Sequence, residues 1–248
     1  MLRILFLLLL SSSLFSLERR EVARPMTISI IIPCHYKHFA LLPELLRYYS
    51  EQDTWPNEVI ICLTASQRKF IADDLIESVL EGPFPFSIKM IEDAHDLPGE
   101  NRNAACKASI GDILICQDAD DLPHPQRLYF IKYLFETYKV DFLMHRLFFN
   151  EGSFPPYSQQ EIVNRSQYFQ DYDSIVRLYG STQNGTHNGT IVITRAVFDQ
   201  IQWPHLYNGE DMAFNREVFS HNEFYKVVTD AHLILYRNHL SSYKNRNE

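Results

Sequence analysis

The sequence predicts an α/β domain whose mostly parallel sheet is covered by helices on both faces. Three observations predict it. Short β-branched runs alternate with segments of helical apolar spacing through the first half. Polar clusters fall where those runs end, the place where open α/β sheets bind ligands. The chain has 248 residues, 46% of them hydrophobic, enough for one large core and a tight fit for two.

The elements follow in order. Ile28–Ile32 reads as a strand stopped by Pro33. An extended HYKHF linker precedes a helix over Leu41–Tyr49. Glu58–Leu63 is a second strand, and Phe70–Leu80 a helix closed by Gly82-Pro83. Phe86–Ile91 is a third strand, Asn101–Ser109 an Ala-rich helix with Gly111 beyond it, and Ile113–Cys116 a fourth strand. Gln126–Tyr138 predicts an amphipathic helix and Val140–Phe149 a strand. From Asn150 to Thr186 the chain is polar and aromatic, without an assigned element. Thr190–Ile193 reads as a strand; Val197–Ile201 and Met212–Phe219 read as helices. Tyr225–Val228 and Leu233–Tyr236 read as two short strands, and residues 241–248 as a polar tail. A single domain spans 26–240.

Net charge is -8 with no Lys/Arg block, which argues against a nucleic-acid partner. Residues 1–20, with Arg3 before an apolar run, read as a signal peptide or a weak membrane anchor. Arg19, Arg20 and Arg24 would hold the downstream side in the cytoplasm if the segment anchors. The alternative is a secretory, extracytoplasmic location, and the sequence leaves the two open. Cys34, Cys62, Cys106 and Cys116 occupy strand or helix positions that suit buried thiols, with no zinc-ligand spacing. Three N-x-[ST] sequons, at Asn164, Asn184 and Asn188, are compatible with secretion.

The chemistry centres on Asp112–Pro123, DILICQDADDLP, where an apolar run ends in Asp118, Asp120 and Asp121. If strand geometry persists to its end, Asp118 and Asp120 share a face. Two such carboxylates repel unless a divalent cation lies between them. The competing reading is an acidic turn that caps the next helix.

Four pieces in order carry a resemblance: ISIIIPCHY, PGENRNAACKASIGDILICQDADD with its D-x-D, NGTIVITRAVF followed by NGEDMAFNREVF, and YRNH. Over about Ile28–His239 the sequence resembles the family 2 glycosyltransferases, with their Rossmann-like GT-A fold and a smaller acceptor-side subregion. The resemblance implies a metal-dependent transfer of a sugar from a nucleotide diphosphate to a hydroxyl, with inversion. It implies Asp120 as a direct ligand of Mn²⁺ or Mg²⁺, Asp118 on the metal or the donor ribose, Asp121 near the donor sugar, and His239 as the distant third metal partner. Asp211 would be the base and Glu210 would orient hydroxyls, although both also suit a helix amino terminus. Arg102 would pair with the diphosphate, or else with Glu100 or a strand-end acid. Pro33, His35 and Tyr36 would wall the nucleobase. The family's acidic turn after the second strand is missing from CLTASQRK, so Thr64, Ser66 or Asp93 would replace it, and the donor is a UDP- or GDP-sugar. The acceptor would be a saccharide, a lipid-linked glycan or a protein, met by residues 150–186. The other class of function is a catalytically silent member of the same fold that binds glycans or acts as a secreted interaction protein.

Overall fold

The computed structural model describes residues 17–149, 154–179 and 187–237. In β1 (Ile28–Cys34), Ile30 and Ile32 pack into one core and Ile31 into a second on the other side of the sheet. This is the two-residue alternation of a strand buried on both faces. A 3₁₀ turn over Tyr36–Leu41 leads into α1 (Leu42–Ser50), whose Leu42, Leu45, Leu46 and Tyr49 join the first core. β2 (Glu58–Thr64), a 3₁₀ turn, α2 (Asp73–Leu80) and β3 (Ser87–Asp93) follow. α3 (Pro98–Ala108) puts Ala105 and Cys106 in the second core and leads to β4 (Ile113–Cys116). Gly111 lets β4 approach β1, since a Cβ there would lie 2.3 Å from Ser29 Oγ.

Next come β5 (Leu122–Pro123), α4 (Arg127–Thr137) and β6 (Phe142–Phe148). The rest are α5 (Gln159–Asn164), β7 (Ser166–Tyr168), α6 (Tyr172–Tyr179), β8 (Ile191–Thr194), α7 (Arg195–Gln200), α8 (Glu210–Ser220) and β9 (Lys226–Leu235). The described residues form one sheet of nine strands, ordered β3-β2-β1-β4-β8-β6-β9-β5, with β7 on β9. β3, β2, β1 and β4 are parallel; β8 runs antiparallel to both β4 and β6, and β6 and β9 are parallel.

Four local expectations are corrected. Pro33 does not stop β1, which continues to Cys34, because a proline near a strand's end removes little pairing. HYKHF is a 3₁₀ turn rather than an extended linker; the His35 side chain caps it by accepting from Lys37 N–H. The Asn150–Thr186 segment carries α5, β7 and α6; α5 opens on a Ser158–Glu161 capping box. The last two strands are one continuous strand, β9.

Upstream of β1, Leu17 is buried and Arg19 bridges Tyr138. Arg20 pairs with Asp141 at 2.7 Å, and Arg24 grips Asp112 through two bonds of 2.8 Å. No helix among the described residues is long and apolar enough to cross a membrane. The four cysteines are buried and free, and burial lifts the Cys62 and Cys116 thiols to about 12, too high for nucleophiles.

Candidate active site

β4 ends at Cys116, and the acids lie beyond it in a turn that Asp121 N–H closes onto the Asp118 carbonyl at 3.3 Å. The strand alternation is lost there, so Asp118 and Asp120 do not share a face as strand residues. Their partners differ. Asp118 accepts from Arg102 at 2.8 Å and lies 3.1 Å from His187 Nδ1. Asp120 lies 3.8 Å from His38 Nδ1. Asp121 is 1% exposed, its Oδ1 taking the Arg237 backbone N–H at 3.0 Å.

Asp118, Asp121 and His187 offer ligand atoms that all lie within 4.8 Å of one another. Asp121 Oδ2 is buried and has no hydrogen-bond partner among the described residues. Burial, then Asp120 and Asp118, push the Asp121 pKa well above the usual carboxylate range. Burial and Asp118 raise Asp120 too, against His38. Burial works the same way on Asp118, but His187 and Arg102 outweigh it and hold that carboxyl below its ordinary value. Two carboxylates, an imidazole and an orphaned buried oxygen fit a divalent cation of the Mn²⁺ or Mg²⁺ kind. Asp120 is not in this group, and His239 lies outside the described residues.

Sequence reading missed His187. It looked at the carboxyl ends of strands, whereas β8 runs against β4, so its amino end reaches the same edge. The 3₁₀ turn Asn188–Thr190, capped by His187, sits there.

The second side of the site comes from α3 and α8. Arg102 is 4% exposed and bridges Asp118 to Glu210, which is 3.4 Å away. Burial would lower the Arg102 pKa, but Asp118 and Glu210 win and raise it. Its Nε is buried without a partner among the described residues. Glu210 also accepts from Asn188 Nδ2 at 3.0 Å, and Asn188 Oδ1 accepts from Trp203 at 3.0 Å. Asn188 is therefore a buried structural residue, not an exposed sequon. Gly209, at φ +75°, turns the chain into α8, and only glycine takes that conformation without strain. Asp211 follows in the first turn, half-buried, its carboxylate accepting the Met212 N–H at 2.7 Å.

At the carboxyl end of β1, Pro33 is half-buried, and the His35 and Tyr36 rings lie 4.5 Å apart. Tyr36 in turn packs on Phe70 at 4.9 Å and donates its N–H to Gln67. The Thr64 hydroxyl is used twice, accepting from Asn101 and donating to the His95 carbonyl. Ser66 is exposed. Asp93, at the end of β3, accepts from both the backbone and the ring of His95 at 2.8 Å.

Residues 29–201 match the family model described as glycosyl transferase family 2. The chain belongs to that family. Solved structures share the family 2 chain's fold. Staphylococcus aureus TarS 1–349 in complex with UDP-GlcNAc is 21% identical, with a TM-score of 0.61, over 88% of this chain and 61% of that one. The mannosyltransferase PcManGT from Pyrobaculum calidifontis, in complex with GDP-Man and Mn²⁺, is 14% identical, with a TM-score of 0.62, over 92% and 62%. Glucosyl-3-phosphoglycerate synthase from Mycobacterium tuberculosis, with Mn²⁺, UDP and glucosyl-3-phosphoglycerate, is 15% identical, with a TM-score of 0.56, over 90% and 75%. The family 2 chain thus spans about three fifths of the length of TarS 1–349. No curated protein sequence matches it.

In this family 2 chain, Asp118, Asp121, Arg102 and Glu210 come together directly, with His187 and Asn188 added. The His35 and Tyr36 rings meet at the end of β1, with His38 between His35 and Asp120, and Asp93 pairs locally with His95.

Proposed function

We propose that this family 2 chain is a metal-dependent glycosyltransferase that moves a sugar from a nucleotide diphosphate to an acceptor hydroxyl. The observation that carries the reading is the Asp118–Asp121–His187 group, with its orphaned Asp121 oxygen, beside an Arg102-bound acid pair. Asp118, Asp121 and His187 would hold Mn²⁺ or Mg²⁺, and Asp120 and His239 are the further ligands that the family resemblance implies. The bound cation supplies Lewis-acid stabilisation of the departing diphosphate. Arg102 keeps Asp118 ionised and aimed. Asp211, in the first turn of α8, would accept the acceptor's proton, and Glu210, anchored by Arg102 and Asn188, would orient sugar hydroxyls. Single displacement with inversion is what the family resemblance implies for a site with Asp211 as its base. Pro33, His35 and Tyr36 would wall the base of a UDP- or GDP-sugar, with Asp93 as the nearby acid. A saccharide, a lipid-linked glycan or a protein would accept the sugar. A catalytically silent binding role is not favoured, since these acids are present and grouped.

The test is turnover of UDP- and GDP-sugars with and without Mn²⁺, beside Asp121→Asn. Sugar release or transfer is expected with metal only, and the variant should lose it. Equal turnover without metal, or in the variant, would refute the reading.

A further inference from the structure

Arg127 opens α4 and is fully buried. It stands at the positive end of a helix dipole, and among the described residues no carboxylate pairs with it directly, Asp118 acting only at longer range. A buried cation without a counter-ion costs free energy that an apolar residue of the same length would not. All its N–H groups are nevertheless used, each on a neutral acceptor. Nε donates to His145 Nε2 at 3.2 Å. One terminal nitrogen donates to Tyr49 Oη at 3.1 Å and Gln117 Oε1 at 2.7 Å. The other donates to the Cys116 carbonyl at 3.0 Å and the Gly189 carbonyl at 2.8 Å. One guanidinium therefore joins the end of β4 to the turn that carries His187.

Gln117 extends the link. Arg127 and Tyr49 both donate to its Oε1, so its amide can point only one way. Its Nε2 then faces the acids' turn and donates to the carbonyls of Asp118 at 2.8 Å and Asp121 at 3.1 Å. We propose that Arg127 and Gln117 form a positioning relay that sets the Asp118–Asp121 turn against His187. Neither is a catalytic residue: Gln117 acts through the backbone carbonyls of Asp118 and Asp121, and Arg127 through Gln117 and through the Cys116 and Gly189 carbonyls that flank the acids' turn and His187. The proposal rests on the metal-dependent transferase reading for its purpose, but not for its geometry.

Gln117→Glu separates the relay from the fold. Glutamate keeps an acceptor facing Arg127 and Tyr49, gains a counter-ion for the guanidinium, and loses the N–H pair given to the two carbonyls. The ion pair to Arg127 offsets the two lost carbonyl bonds, so the variant is expected to stay folded and to melt near the wild-type temperature. Deuterium exchange over residues 117–123 of the ligand-free protein should quicken, with exchange elsewhere unchanged. Binding of UDP or GDP with Mn²⁺, read by calorimetry without turnover, should weaken about tenfold. Tyr49→Phe removes one of the two donors that fix Gln117 Oε1 and should move both readouts the same way by less. Wild-type exchange over 117–123 in both variants overturns the relay, and so does a fall in melting temperature with neither readout moved. If wild-type protein binds no nucleotide with Mn²⁺, the transferase reading fails, and the exchange measurement still decides the relay.

Discussion

The Arg102 guanidinium donates to the Asp118 carboxylate at 2.8 Å and lies 3.4 Å from that of Glu210, so one buried cation ties the acid after β4 to the first residue of α8. Its terminal nitrogens serve a strand-end acid and a helix-start acid.

Removing that cation takes the shared counter-ion from Asp118 and from the buried Glu210. Arg102→Met is expected to cost about 3–5 kcal/mol of stability, measured by urea denaturation at neutral pH. Arg102→Lys should recover part of this, since charge returns without the fork. Wild-type stability in Arg102→Met would show that the bridge is solvated.

His187 is the imidazole that the folded chain places beside Asp118, 3.1 Å away. His187→Ala is expected to raise the Mn²⁺ concentration for half-saturation by at least about tenfold, by analogy with the loss of metal-site partners. Manganese titration followed by electron paramagnetic resonance reads it directly. An unchanged titration removes His187 from the site.

Asp211 accepts only its neighbour's N–H among the described residues, which leaves its second oxygen for an incoming hydroxyl. Asp211→Asn is expected to lower kcat by about 10²–10⁴-fold while nucleotide binding stays within about twofold. Steady-state kinetics beside calorimetry separates the two. A variant that loses binding and keeps kcat would assign Asp211 to the donor instead.

His145 is fully buried, and burial, then Arg127, hold its pKa well below the ordinary imidazole value. The folded chain refuses a proton that the unfolded chain takes up near pH 6.5. Stability is therefore full above that value and falls as the pH drops below it, by up to about 1.4 kcal/mol per pH unit. His145→Gln keeps an acceptor for Arg127 and does not titrate. Its stability loss between pH 7 and pH 5 should be the shallower of the two in urea denaturation. Identical slopes would contradict the buried neutral imidazole.

The parallel half of the sheet was legible because its strands are buried on both faces, and continuous Ile, Val and Leu runs such as Ile28–Ile32 and Val59–Leu63 announce that. Asp118, Asp121, Glu210 and Arg102 were legible because they fall at strand ends and helix starts in the family's order. His187 was hidden by strand direction, which no local pattern reports. Gln117 and Arg127 were hidden for another reason. A glutamine before an acid and an arginine in an amphipathic helix read as solvated surface, and only the fold shows them to be interior. Tyr225–Tyr236 was divided because Thr229 and Asp230 interrupt its apolar run, yet β9 continues: Thr229 pairs with Ser166 of β7, and pairing with β6 resumes at His232 after a register shift.

The reversed direction of β8 has a consequence for how the centre is assembled. His187 and Asn188 enter the centre from the start of a strand, while Asp118 and Asp121 enter from the finish of another. A change in the direction of one strand thus lets a single edge of the sheet collect side chains from two places in the chain about seventy residues apart, without lengthening either strand.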